Sequence, residues 1–97
     1  MIVVKTLNNN IVLVQDQMGN EKVLFGTGIG FKKRQGDSID ESLISKIFTP
    51  NAEEQTDHKI DNFQPEILSV SARIIESGEL ILNQKFGTGL LFSLADH

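Results

Sequence analysis

The chain has 97 residues, no cysteine and a net charge of −4. That length suits one small domain, or a module plus part of another, and the missing cysteines exclude disulfides and thiolate metal sites. No apolar run approaches the roughly 20 residues of a membrane span, and Met1 leads into strand-like sequence and not a signal peptide, so a soluble cytoplasmic protein is expected.

In chain order, Ile2 to Leu7 is rich in β-branched residues and reads as a first strand. Asn8-Asn9-Asn10 follows as a turn, because asparagine tolerates left-handed backbone. Ile11 to Val14 is apolar at every position and is expected to be buried on both faces. Met18-Gly19-Asn20-Glu21 signals a hairpin into a third strand, Lys22 to Phe25. Ser38 and Glu41 have capping-box spacing, which predicts a brief helical turn near 39–43. Ile44 to Thr49 reads as a fourth strand ended by Pro50. Four short strands bury little on their own, so a sheet with two apolar faces is expected to find its second layer in another copy of the chain.

Asn51 to Asp61 is polar and acidic without periodicity and reads as a linker, with His58 as an exposed histidine lacking ligand partners. The pattern then turns helical. Pro65 suits a first turn, and Ile67, Ser71, Ile74, Gly78 and Ile81 form one stripe with Leu68, Ile75 and Leu82 beside it. One helix is expected over about 66–82, through Gly78, ending at a left-handed Asn83. Thr88 is the expected N-cap of a further helix still running at His97, with an uncovered apolar face. The repeat of Phe-Gly-Thr-Gly at 25–28 and 86–89 has unrelated flanks and reads as coincidence.

The charge is split between the halves. Residues 1–50 hold six Lys and Arg against five Asp and Glu, and residues 51–97 hold three against eight. Such asymmetry fits two modules with different partners.

The costliest stretch is Phe25-Gly-Thr-Gly-Ile-Gly-Phe-Lys-Lys-Arg34. Three alternate glycines forfeit packing and backbone entropy, which suggests close approach of a phosphate or a base edge. A dinucleotide fingerprint needs a helix directly after the loop, and Lys32-Lys33-Arg34-Gln35-Gly36 is no helix start. No Gly-Lys-Ser/Thr, no nucleophile–histidine–carboxylate set and no metal-ligand spacing is present, so neither enzyme nor cofactor is expected. Nucleic acid explains more residues: asparagines for base edges, bare backbone for phosphate, Phe31 for stacking, and Lys5, Lys32, Lys33 and Arg34 for phosphates. Each feature has a plainer use as a turn, a core residue or a solvated charge. A protein-interaction module without RNA binding is the alternative reading.

Leu7-Asn-Asn-Asn-Ile-Val-Leu-Val, Gly26-x-Gly28-Ile29-Gly30-Phe31-x-Lys33, Gly36-Asp37 and Lys46-Ile47-Phe48 together resemble the co-antiterminator RNA-binding domain of BglG/SacY-type transcriptional antiterminators. Val70-Ser71-x-x-Ile74-Ile75 and Leu94-Ala95-Asp96-His97 are similar to the start of the first phosphotransferase-system (PTS) regulation domain. The resemblance implies a mainly β module over 1–50, a four-stranded antiparallel sheet that dimerises into a two-sheet barrel or sandwich. A linker over 51–64 and an incomplete helical regulation domain over 65–97 would follow. It implies a homodimer that binds a leader-mRNA hairpin, prevents terminator formation and switches on a sugar-utilisation operon. Lys5, Asn8, Asn10, Gly26, Thr27, Gly28, Phe31 and Lys33 occupy its RNA-binding positions, with Thr27 standing where a basic residue is commoner. His97 matches the first histidine phosphorylated by phosphotransferase proteins, while Gly87-Thr88 replaces the usual Asn-Asp cap.

Overall fold

A computed structural model describes residues 1–50 and 60–96. Four antiparallel strands lie in the order β1 (Ile2–Asn8), β2 (Ile11–Gln15), β3 (Glu21–Phe25), β4 (Lys46–Phe48), followed by helices α1 (Pro65–Leu82) and α2 (Thr88–Ala95). The meander follows from its turns. Asp16 accepts backbone hydrogen bonds from Met18 and Asn20, each of 2.9 Å, while Gly19 takes φ +85°. The Asn20 amide first, with the Met18 amide and Lys22, holds the Asp16 carboxyl below its usual range against the opposing effect of desolvation.

β2 is buried on both faces, as its unbroken apolar run predicts. Ile11 and Leu13 join Val23, Phe25 and Phe48 on one face. Val12 and Val14 join Val3, Leu24, Ile29 and Ile39 on the other. The first face is covered by Ile60, by Leu68, Ala72 and Ile75 of α1, and by Leu91 and Phe92 of α2. Phe63 stacks on Phe92 with centroids 5.5 Å apart. The second face is covered by the segment between β3 and the turn at Glu41–Leu43, through Ile29 and Ile39. That segment also guards the free edge of β1, where the Val3 amide donates to Asp37 O and the Gly36 amide to Val3 O, both at 2.8 Å. Both layers are therefore the chain's own, and burying the sheet does not require a second copy.

Several local expectations shift. The 3-10 turn Glu41–Leu43 is capped by Asp40, whose Oδ1 accepts from the Ser42 amide at 3.1 Å; Ser38 instead bridges to Ile2 at the start of β1. β4 is shorter than 44–49, because Ile44 still belongs to the end of that turn. α1 runs through Gly78 and ends at Asn83 with φ +56°, as its sequence predicts. Its buried row is Leu68, Ala72, Ile75 and Glu79, leaving Ile67, Ile74 and Ile81 exposed. The helix is apolar on two neighbouring stripes, and the sheet takes the one that sets Glu79 opposite Lys46. α2 is capped by Gly87, with Thr88 already buried inside its first turn, and it ends at Ala95. A Cβ at Gly87 would lie 2.4 Å from Thr49 O, so this glycine lets the connector pass β4. The linker expectation over 51–64 lies partly outside the described residues, as does His58. Within the described part, Ile60 is fully buried and Phe63 is packed, so 60–64 belongs to the helical layer.

No helix among the described residues is long and apolar enough to cross a membrane.

Candidate nucleic-acid interface

The asparagine turn and the glycine-rich stretch are one structure. Asn8 Oδ1 accepts from the Asn10 amide at 2.8 Å, closing the β1–β2 turn. Asn10 then reaches the glycine stretch twice, accepting from the Gly26 amide through its carbonyl (2.9 Å) and from the Gly28 amide through Oδ1 (3.0 Å). Asn9 O accepts from the Gly30 amide at 2.9 Å. Ile29, fully buried, nails the middle of the loop to the sheet.

These bonds explain the glycines in a way the sequence did not suggest. A Cβ at Gly26 would sit 1.9 Å from Leu43 O, and one at Gly30 would sit 2.4 Å from Asn8 O. The close approach is made by the protein's own backbone. Gly28 differs, for it takes φ +77° and a Cβ there would meet nothing within 4 Å. It is the one glycine of the three whose outer side is open.

Thr27 and Phe31 are exposed at the tips of this loop, and Phe31 leaves 56% of its surface to solvent. Lys32, with a left-handed φ of +57°, places its Nζ 5.4 Å from the centroid of the Phe31 ring. The Lys33 carbonyl accepts from Thr6 Oγ1 at 3.0 Å, fixing the exit of the loop to β1. Thr6 thus shapes the surface without lying in any motif, while Asn9 and Ile29, both inside the motifs, act by holding the loop to the turn and to the sheet.

Lys5 and Asn8 part from the others. Register shifts in β1, between Val3 and Lys5 and between Thr6 and Asn8, pair Lys5 with Leu13 and Asn8 with Ile11. Those partners face the helical layer. Thr6 pairs with Val12, which faces the loop. Asn10, Gly26, Thr27, Gly28, Phe31 and Lys33 therefore gather around the loop, whereas Lys5 and Asn8 stand beside the helices. Lys5 Nζ pairs with Asp61 Oδ1 at 2.5 Å, and Asn8 Nδ2 donates to Ser69 Oγ at 2.9 Å. His97 lies outside the described residues.

Among the described residues, no group of three or more His, Cys, Asp or Glu could hold a metal ion. A small sheet that presents an amide-rich turn, an open glycine, a solvent-facing aromatic and loop cations defines a binding module. The chain belongs to the CAT RNA-binding domain family, whose model matches residues 1–57. This is a family of RNA-binding transcriptional antiterminators and not of enzymes. Over its whole length the chain is 39% identical to the β-glucoside operon antiterminator of Dickeya chrysanthemi, but it spans only 35% of that protein. Among solved structures, the LicT antiterminator protein in complex with its RNA target matches with 40% identity and a TM-score of 0.51, covering 55% of this chain and 96% of that one. GlcT CAT-PRDI matches with 29% identity and a TM-score of 0.76, covering 99% of this chain and 59% of that one.

Proposed function

We propose that this chain is the RNA-reading part of a transcriptional antiterminator, which binds a hairpin in leader mRNA and keeps an overlapping terminator from forming. The observation that carries the reading is the clamp of Asn10 on Gly26 and Gly28, which locks the asparagine turn to a loop whose tip exposes Phe31 beside Lys32 and Lys33. A rigid loop of this kind supplies what hairpin recognition needs: an aromatic face for an unpaired base, open backbone for a sugar or phosphate, and cations for the strand. Lys5, Asn8, Asn10, Gly26, Thr27, Gly28, Phe31 and Lys33 are the proposed contact residues.

The wider assignment rests on family membership. It comprises a cytoplasmic homodimer, residues 1–50 as the RNA-binding unit, and residues 65–97 as the start of a regulation domain. Phosphotransferase proteins would modify that domain at His97 to control a sugar-utilisation operon. Thr27 in place of a cation is expected to shift RNA preference, since it offers a hydroxyl where a charge would hold phosphate.

A gel shift with the leader hairpin upstream of the encoding gene or its neighbour tests the reading. Phe31→Ala is expected to weaken the shift about tenfold to a hundredfold while leaving the melting temperature unchanged, because the ring is exposed. Asn10→Ala is expected to abolish it with some loss of stability. Undiminished binding by both variants would overturn the site assignment. Sedimentation at micromolar concentration tests the dimer.

A further inference from the structure

We propose that Asp61 and Ser69 of the helical layer compete with RNA for Lys5 and Asn8, so that the docked helices keep one side of the RNA-reading surface occupied. The inference rests on the reading of Lys5 and Asn8 as RNA contacts and names a control built onto them.

Asp61 gives Lys5 an anionic oxygen at 2.5 Å, the same chemistry that a phosphate oxygen offers. Ser69 gives the Asn8 amide nitrogen a hydroxyl acceptor at 2.9 Å, standing in for a ribose hydroxyl or a base acceptor. The other end of the Asn8 side chain is spent on the Asn10 amide, so both ends of the amide are engaged within the protein.

These contacts are held in place by packing. Asp61 follows Ile60 and Ser69 follows Leu68, and both apolar residues are fully buried against the sheet. Ser69 itself is only 8% exposed. The register shifts in β1 complete the arrangement by turning Lys5 and Asn8 toward the helices. Among the described residues, Phe31, Lys32 and Lys33 make no such contact with the helices, and Phe31 is exposed. The relative solved with its RNA target covers 55% of this chain, a share too small to contain both the sheet and the helical layer.

The competition is graded. The Lys5–Asp61 pair leaves 37% and 58% of its side chains exposed, which places it among the weaker ion pairs. RNA can therefore exchange Asp61 at Lys5 with the apolar layer left in place, whereas at Asn8 the buried Ser69 hydroxyl is the firmer competitor.

The test uses the full 97-residue chain and the leader hairpin upstream of the encoding gene or its neighbour, with affinity read by fluorescence anisotropy. Asp61→Asn combined with Ser69→Ala is expected to tighten binding about tenfold. Glu66→Gln, an exposed carboxylate in the first turn of α1, is the control for general charge and is expected to change little. In a Lys5→Ala, Asn8→Ala background the tenfold gain should vanish. Unchanged affinity of the double variant would overturn the inference while leaving the RNA reading intact, and so would a gain that persists without Lys5 and Asn8. Failure of wild type and double variant alike to bind would remove the RNA reading, and the inference with it.

Discussion

Lys46 of β4 and Glu79 of α1 meet between sheet and helices, Nζ to Oε2 at 2.8 Å, with 6% of each side chain exposed. Both also grip the connector before α2: Lys46 donates to Phe86 O at 2.9 Å, and Glu79 accepts from the Phe86 amide at 2.6 Å. Lys46 Nζ lies 4.9 Å from the Phe48 ring centroid as well. A single buried pair thus ties β4, α1 and the approach to α2 together.

Removing one partner strands the other charge in the interior. Lys46→Met or Glu79→Leu alone is expected to cost about 3–5 kcal/mol, while the double replacement recovers most of it. Urea unfolding of the two single variants and the double variant, read as a cycle, checks this. Additive losses would mean that the charges do not act as a pair.

Glu79 also sets a pH dependence. Burial is the largest single influence and favours the neutral acid. The Lys46 hydrogen bond, the Phe86 amide and the charges of Lys46 and Lys85 together outweigh it, leaving the carboxyl below its ordinary value of 4.5. A carboxyl depressed on folding contributes stability that is fully present above its unfolded value and is lost as pH falls through its folded one. Wild type should therefore lose stability more steeply than Glu79→Gln on descending below about pH 4.5, which denaturant midpoints across pH 2–7 would report.

The three alternate glycines should separate by cause. Gly26→Ala drives a methyl into Leu43 O and Gly30→Ala into Asn8 O, each expected to cost about 3 kcal/mol or more. Gly28→Ala meets nothing and is charged only for its left-handed backbone, about 1–2 kcal/mol. Thermal unfolding gives the ranking. Equal losses at all three would show that backbone approach by Leu43 and Asn8 is not what excludes a side chain.

These glycines also mark where sequence reading reaches its limit. Turn and strand chemistry are local, so the Asn8–Asn10 turn, the doubly buried β2, the Gly19 hairpin and the left-handed stop at Asn83 are all legible in order along the chain. The glycines announce close approach but not by whom, because Leu43 and Asn8 come near only once the sheet is formed. The rotational setting of α1 is equally hidden. Ile67, Ile74 and Ile81 are as apolar as Leu68 and Ile75, and the row that turns inward is the one whose Glu79 meets Lys46 of β4, a partner remote in sequence. The register shifts in β1 leave no compositional trace, yet they separate Lys5 and Asn8 from the rest of the proposed RNA surface.

Salt dependence distinguishes the parts of that surface. Phosphate contacts release counterions, so the logarithm of affinity should fall against the logarithm of salt by about 0.7–0.9 per contact. Lys33→Ala and Lys5→Ala should each weaken binding and flatten that slope by about one. Lys5 should contribute the smaller effect, because Asp61 already neutralises it in the free protein. Phe31→Ala should behave differently, losing about 1–3 kcal/mol of stacking while leaving the slope unaltered. Titrations of each variant from 50 to 300 mM potassium chloride would check the pattern, the salt range being about that over which such slopes are resolved. If the lysine variants lower affinity at a constant slope, the two lysines act on the fold of the loop and not on phosphate. If Phe31→Ala flattens the slope, the ring's part is to position Lys32, whose ammonium rests over it, and not to stack on a base.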